Sequence, residues 1–186
     1  MGHLVCAQQA HAQLGLDVVT FVPVGTPPHK EAAKDPGREV RLRLCELATA
    51  GDDRFSVDRI EIDRPGPSYT IDTLTAVHER EPRQELILIL GGDMAQTLGD
   101  WREPERIVSL ARMGVAERAG AARDQIARGM DSLGAGHRID FFDMPRIDIS
   151  SSLVRELVAR GEPIRYLVPD AVARYVAEHG LYARAA

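Results

Sequence analysis

The run Glu85-Leu-Ile-Leu-Ile-Leu90 constrains the fold more than any other stretch. It is apolar without alternation, and Gly91-Gly92-Asp93 breaks it. A strand with one wet face alternates, so a continuous run predicts a strand covered on both faces, as in a parallel sheet between helices. Val18 to Val24, reading Val-Val-Thr-Phe-Val-Pro-Val, has the same character. Each run follows a stretch of helical spacing. Leu4 to Leu14 precedes the second, with Gly15 as its C-cap, and Ser68 to Glu81 precedes the first, with Ser68 or Thr70 as N-cap. Helices are also predicted over Glu39–Ala50, Pro104–Ala111, Arg123–Leu133, Ser150–Ala159 and Ala171–Glu178. Strands are predicted over Phe55–Ile62, Met113–Ala116 and Ile139–Met144. Alternation of this kind predicts an α/β fold, a mostly parallel sheet flanked by helices, in one domain over residues 1–186.

Composition narrows the function classes. A net charge of −5 is the wrong sign for a nucleic-acid backbone as first partner. Cys6 and Cys45 form no CxxC pair, so neither a zinc site nor a disulfide framework is expected, and buried thiols in a reducing compartment are. The chain shows no apolar run of membrane-spanning length and no signal peptide, so a cytoplasmic protein with no membrane partner is expected.

In a parallel sheet, ligands sit beyond the carboxyl ends of the strands. The loops predicted there are Gly25–Lys30, Arg64–Thr70, Gly91–Asp93 and Pro145–Ser152. In Ile149-Ser150-Ser151-Ser152-Leu-Val-Arg155, hydroxyls precede a helix and a guanidinium follows one turn in. Free N–H groups and the helix dipole favour an anion there, and an ordinary serine N-cap fits as well. Thr26-Pro-Pro-His29-Lys30 puts two cationic groups on a stiff loop, fit for an anionic ligand or simply solvated. Asp93 could take ribose hydroxyls or cap a helix, and Trp101, the only tryptophan, could stack on a flat ring or pack in the core. His3 by itself reads as a frayed terminus. No nucleophile-and-base pair and no metal-ligand spacing stand out.

Together, several motifs make the chain resemble bacterial nicotinate-nucleotide adenylyltransferases of the nucleotidylyltransferase superfamily. They are Gly2-His3-Leu4, Phe21 to Lys30, Arg64-Pro-Gly-Pro-Ser-Tyr-Thr-Ile-Asp-Thr-Leu74, Gly91-Gly-Asp93, Trp101, Met144 to Ser152 and Ile164 to Asp170. The resemblance spans nearly the whole chain in order. It implies a Rossmann-like nucleotidylyltransferase fold and transfer of adenylyl from ATP to nicotinate mononucleotide in NAD synthesis, with Mg²⁺ accompanying ATP and no covalent intermediate. It further implies that His3 and Arg155 act at the transferred phosphate, and that His3, Asp93, Ile149, Ser150, Ser151 and Arg155 hold ATP. Thr26, His29, Lys30, Thr70 and Trp101 would face the nicotinate nucleotide. Nicotinamide mononucleotide or phosphopantetheine are alternative acceptors within the superfamily, and a homo-oligomer is compatible with it.

The sequence departs from the family at its start. Family members carry a strand and a Gly-Gly-Thr-Phe-Asp-Pro-x-His segment ahead of the Gly-His, and this sequence opens at Met1-Gly2-His3. That strand would lie mid-sheet, so its loss is expected to leave backbone groups and apolar faces uncovered. The expectation is a longer natural protein, with the present chain weakly active or inactive, or else a non-catalytic nucleotide-binding remnant. Ser152, where the family often has Thr, keeps the hydroxyl.

Overall fold

The computed structural model describes residues 1–28, 35–117 and 123–183. Its elements are α1 (Gly2–Leu14), β1 (Val19–Phe21), α2 (Arg38–Thr49), β2 (Phe55–Val57), α3 (Ile60–Asp63), α4 (Thr70–Arg80), β3 (Leu86–Gly91), α5 (Gly92–Gln96), α6 (Pro104–Leu110), β4 (Ala111–Glu117), α7 (Arg123–Ser132), β5 (Ile139–Asp143), α8 (Ser151–Ala159) and α9 (Asp170–Glu178). Every strand pairing is parallel, in a two-stranded sheet β1-β2 and a three-stranded sheet β3-β4-β5. The α/β class with parallel pairing is as expected. The chain forms two compact units, one of residues 1–5, 18–67 and 147–186, the other of residues 6–17 and 68–146. No helix among the described residues is long and apolar enough to cross a membrane.

The second unit holds the larger core. Ile71, Leu98, Ile107, Met113, Val115, Ile126 and Met130 are nearly solvent-free in one cluster. Phe142, Ala10 and Ala116 form another, with Leu14, Ile89 and Met144 against it. The centre of this sheet is β4, paired on both edges. Its sequence, Ala-Arg-Met-Gly-Val-Ala-Glu, conceals that position because it carries two charges and a glycine. Each has a local cause. Arg112 pairs with Glu85 at 3.0 Å and with Asp140 of the neighbouring strand β5. Glu117, though buried, meets the Arg123 guanidinium. At Gly114, a Cβ would stand 2.9 Å from Leu14 Cδ1 and 3.1 Å from Ile87 Cγ2, so only glycine lets helix α1 lie this close.

The two runs expected to be covered on both faces are not. Leu86 to Ile89 of β3 are half-buried, and in β1 Thr20 is exposed. Among the described residues β3 ladders only to β4 and β1 only to β2, and a strand paired on one edge is incompletely covered. β1 is also short, since Pro23 has no N–H for a ladder. The strand expected over Phe55–Ile62 stops at Val57. The Asp58 carboxylate accepts from Ile60 N–H at 2.9 Å and starts the single turn α3, an Asx turn that the alternating pattern concealed. The loop at Arg64 therefore follows a helical turn rather than a strand. α4 begins after Tyr69, whose side chain makes no cap bond, so neither Ser68 nor Thr70 is the N-cap. Gly15, at φ 64°, ends α1 as expected. Cys6 and Cys45 are half-buried rather than buried. Burial pushes both thiols up, with Glu46 adding to the effect at Cys45.

The first unit packs α2, α8 and α9 around Ile164, Val172 and Val176, with Leu44, Leu47, Val154, Leu157 and Tyr182 against them. α8 is amphipathic and packs a half-buried stripe of Val154, Leu157 and Val158 here, which leaves its first turn at the surface.

Candidate active site

In the first unit, Ser150 is the N-cap of α8, and its Oγ accepts from Leu153 N–H at 3.1 Å. The serine N-cap reading is therefore realised. It does not consume the site, because a capping hydroxyl still has its own proton to donate. Ser150, Ser151 and Ser152 are exposed. Half-buried Arg155 donates to Ser152 Oγ at 3.2 Å, so its guanidinium lies back over the first turn. The start of α1 comes to the same place. A Cβ on Gly2 would stand 3.7 Å from the carbonyl oxygen of Ile149. Two helix N-termini, of α1 and α8, thus lie beside one backbone segment, with exposed His3 in the first turn of α1. Free N–H groups and dipole ends of both helices make the spot attractive to anions.

The loop bearing Thr26 leaves β1 in the same unit. Arg41 holds it, donating from Nε to Val24 O at 2.8 Å and from a terminal nitrogen to Gly25 O at 2.6 Å. Asp35 pairs with Arg41 in turn. That partner, chiefly through its hydrogen bond, holds the Asp35 carboxyl below its ordinary range. Thr26 is exposed, and His29 and Lys30 lie outside the described residues. A depressed carboxyl contributes stability above its unfolded value, about 3.9, and loses it as pH falls through the folded value. Asp35→Asn is therefore expected to lower the melting temperature at pH 7, by no more than about 2–4 °C for a surface pair. The difference from the parent chain should begin to shrink as pH falls below about 4 and vanish only once pH is below the lowered folded value. Thermal melts at both pH values check it, and an equal difference at both would remove the pair as cause.

In the second unit, Thr70 opens α4 half-buried, and Asp93 lies exposed in the first turn of α5, just past the carboxyl end of β3. α5 is capped by Gly91, so the helix-cap alternative for Asp93 is not what occurs. Trp101 packs half-buried against the same core cluster as Tyr69, and its indole N–H donates to Thr97 Oγ1 at 3.2 Å. Both alternatives for Trp101 keep support: one part of the ring packs, the rest remains accessible.

A family model described as cytidylyltransferase-like matches residues 1–157. The chain is 44% identical over 181 residues to a probable nicotinate-nucleotide adenylyltransferase of Roseiflexus sp. (strain RS-1), with 97% of this chain and 90% of that protein covered. It is 40% identical over 181 residues to one of Tropheryma whipplei (strain Twist), covering 97% and 92%. The chain belongs to the nicotinate-nucleotide adenylyltransferase family. Its fold is also that of Plasmodium falciparum nicotinic acid mononucleotide adenylyltransferase complexed with NaAD, at TM-score 0.70 and 16% identity, over 97% of this chain and 89% of that one.

Within this family frame, the site residues expected from sequence divide by unit. His3, Thr26, Ile149, Ser150, Ser151 and Arg155 belong to the first, and Thr70, Asp93 and Trp101 to the second. The structure brings the Gly2-His3 start against Ile149, and Tyr69 and Trp101 onto one cluster. Sequence reasoning missed Arg41 and Arg102. Nothing in the sequence sets Arg41 apart from the other charges of α2, and only its tertiary bonds to two carbonyls single it out. Arg102 had a signal, its place next to the lone tryptophan.

Proposed function

We propose that the chain transfers the adenylyl group of ATP to nicotinate mononucleotide, giving nicotinate adenine dinucleotide and pyrophosphate. The observation that carries this is the meeting of the α1 and α8 N-termini at Ile149, with the Ser150 and Ser151 hydroxyls and Arg155 around it. In the reaction a phosphate oxygen of the mononucleotide attacks the α-phosphorus of ATP, a P–O bond forms, and the bond to the β-phosphate breaks. Charge develops on the transferred phosphoryl oxygens and on the leaving pyrophosphate. Prearranged donors are what such a step needs, and no nucleophilic side chain is required. His3 is assigned to the transferred phosphate. Ile149, Ser150, Ser151 and Arg155 are assigned to the ATP phosphates, and Asp93 to the ATP ribose. Thr26, His29, Lys30, Thr70 and Trp101 are assigned to the mononucleotide, with Trp101 stacking on the pyridine.

Among the described residues, no group of three or more His, Cys, Asp and Glu side chains is placed to hold a metal ion. The divalent cation is assigned to the substrate, as Mg²⁺ entering with the triphosphate of ATP. Both substrates are multiply charged and cannot cross a bilayer unaided, which supports the cytoplasm as the place of reaction.

The test is a product assay with ATP and, in turn, nicotinate mononucleotide, nicotinamide mononucleotide and phosphopantetheine. The dinucleotide of the acid should dominate, and equal or better use of another acceptor would sink the assignment. Arg155→Ala should raise KM for ATP about tenfold or more, the worth of charge-assisted hydrogen bonds to phosphate. Arg155→Lys should recover part of the loss, and an unchanged KM for ATP in the alanine variant would remove Arg155 from the phosphate site.

A further inference from the structure

We propose that Arg102 is a specificity-determining residue, selecting a pyridine carboxylate over the corresponding carboxamide in the acceptor nucleotide; this rests on the function proposed above. Arg102 lies between Trp101 and the N-cap of α6, in the same unit as Thr70. Its guanidinium carbon sits 4.7 Å above the centroid of the Tyr69 ring, the residue immediately before Thr70. That stacking holds the planar fork in place while leaving its N–H edge open.

The neighbouring charges leave the fork's hydrogen-bonding capacity unspent. The carboxylates of Asp72 and Glu103 stand 3.9 and 3.8 Å away, close enough to favour the cation and too far for a hydrogen bond. Glu103 is also engaged by Arg106 at 3.1 Å. The Arg102 side chain is 53% exposed, so a ligand can reach it.

The backbone on either side is held in defined conformations. Trp101 is extended at φ −79°, ψ 164°, with its N–H donating to Leu98 O at 3.1 Å. Glu103 is left-handed at φ 52°, a conformation a non-glycine residue adopts only when its surroundings impose it. A flat-ring stacking candidate and a prepositioned guanidinium are thus consecutive residues on a braced segment. A ring carboxylate offers the fork two anionic acceptors in one plane. A carboxamide offers one neutral acceptor, and its NH₂ group faces the Arg donors without a partner.

The sole tryptophan makes the site directly observable, since intrinsic indole fluorescence comes from Trp101 alone. The full chain is titrated with nicotinate mononucleotide and with nicotinamide mononucleotide, following that fluorescence. The parent should prefer the acid. Arg102→Gln should reduce the acid-over-amide preference about tenfold, with the amide affinity nearly unchanged and Arg102→Lys between the two. An unchanged preference in Arg102→Gln overturns the role of Arg102 and leaves the proposed function standing. Equal weakening of both ligands also overturns it, since that is the mark of a contact to the shared phosphate. A parent chain that prefers the amide or binds neither nucleotide overturns the function and the role of Arg102 together. A melting temperature of the Gln variant within about 2 °C of the parent, as expected for a half-exposed side chain, separates these results from misfolding.

Discussion

His3→Ala is expected to lower kcat/KM for adenylyl transfer by about 10²–10³-fold, the loss seen when a donor to a developing oxyanion is removed. His3 is exposed in the first turn of α1, and the Gly2 backbone beside it stands against Ile149. Its removal takes nothing from either core, so the melting temperature should stay within about 2 °C. Loss of rate without loss of stability is what distinguishes a group acting on phosphate from one that supports the fold. The loss should fall on kcat as well as on KM for ATP, because the charge His3 would meet is largest in the transition state. Steady-state pyrophosphate release at saturating and limiting ATP separates the two. His3→Asn retains a side-chain donor and should regain part of the rate. Turnover of the alanine variant equal to the parent's would refute the assignment.

Phe142→Ala is expected to destabilise the chain by about 3–5 kcal/mol, the largest stability effect among these substitutions. Phe142 lies in β5 at 1% exposure, against Ala10 of α1 and Ala116 of the central strand β4. Its neighbours include two alanines, which have no side-chain length with which to fill the space. A cavity would therefore remain. Phe142→Leu keeps most of the volume and should cost only about 1–1.5 kcal/mol. Urea denaturation of both variants gives the values. An alanine variant within 1 kcal/mol of the parent would mean that this corner of the sheet collapses far more readily than close packing allows. The same melts would show whether loss of β5 packing carries the whole second unit with it, since β5 also ladders to β4.

Much of the chain was legible without coordinates. Every helix of eight residues or more was predicted within about three residues of its place, because amphipathic spacing is a local signal. The Ser150 cap was legible for the same reason, since an N-cap bond spans three residues. The parallel pairing followed from alternation of helices with apolar runs. Local signals misled where one short-range bond replaced another, as at Asp58, whose carboxylate turned an alternating run into a helical turn. Which strand is central was not legible at all. Leu86 to Leu90 is the more apolar run, yet Ala111 to Glu117 occupies the middle of the three-stranded sheet. Accommodating that strand's charges and glycine depends mostly on partners distant in sequence: Glu85 and Asp140 for Arg112, and Leu14 and Ile87 around Gly114, with Arg123 beyond the strand's end for Glu117.

The candidate site divides along the same line. Residue types and spacing marked the hydroxyl-rich helix start, Asp93 and Trp101 as candidates, because motif chemistry is carried by neighbours in the chain. The meeting of the α1 start with Ile149, the grip of Arg41 on the Val24 and Gly25 carbonyls, and the stacking of Arg102 on Tyr69 came only from the folded chain. These contacts join residues 16 to 147 positions apart or depend on a side chain turning onto another helix. No periodicity in a sequence encodes such proximity, because it is set by how whole elements pack and only then by which side chains they bring within a few ångströms of each other.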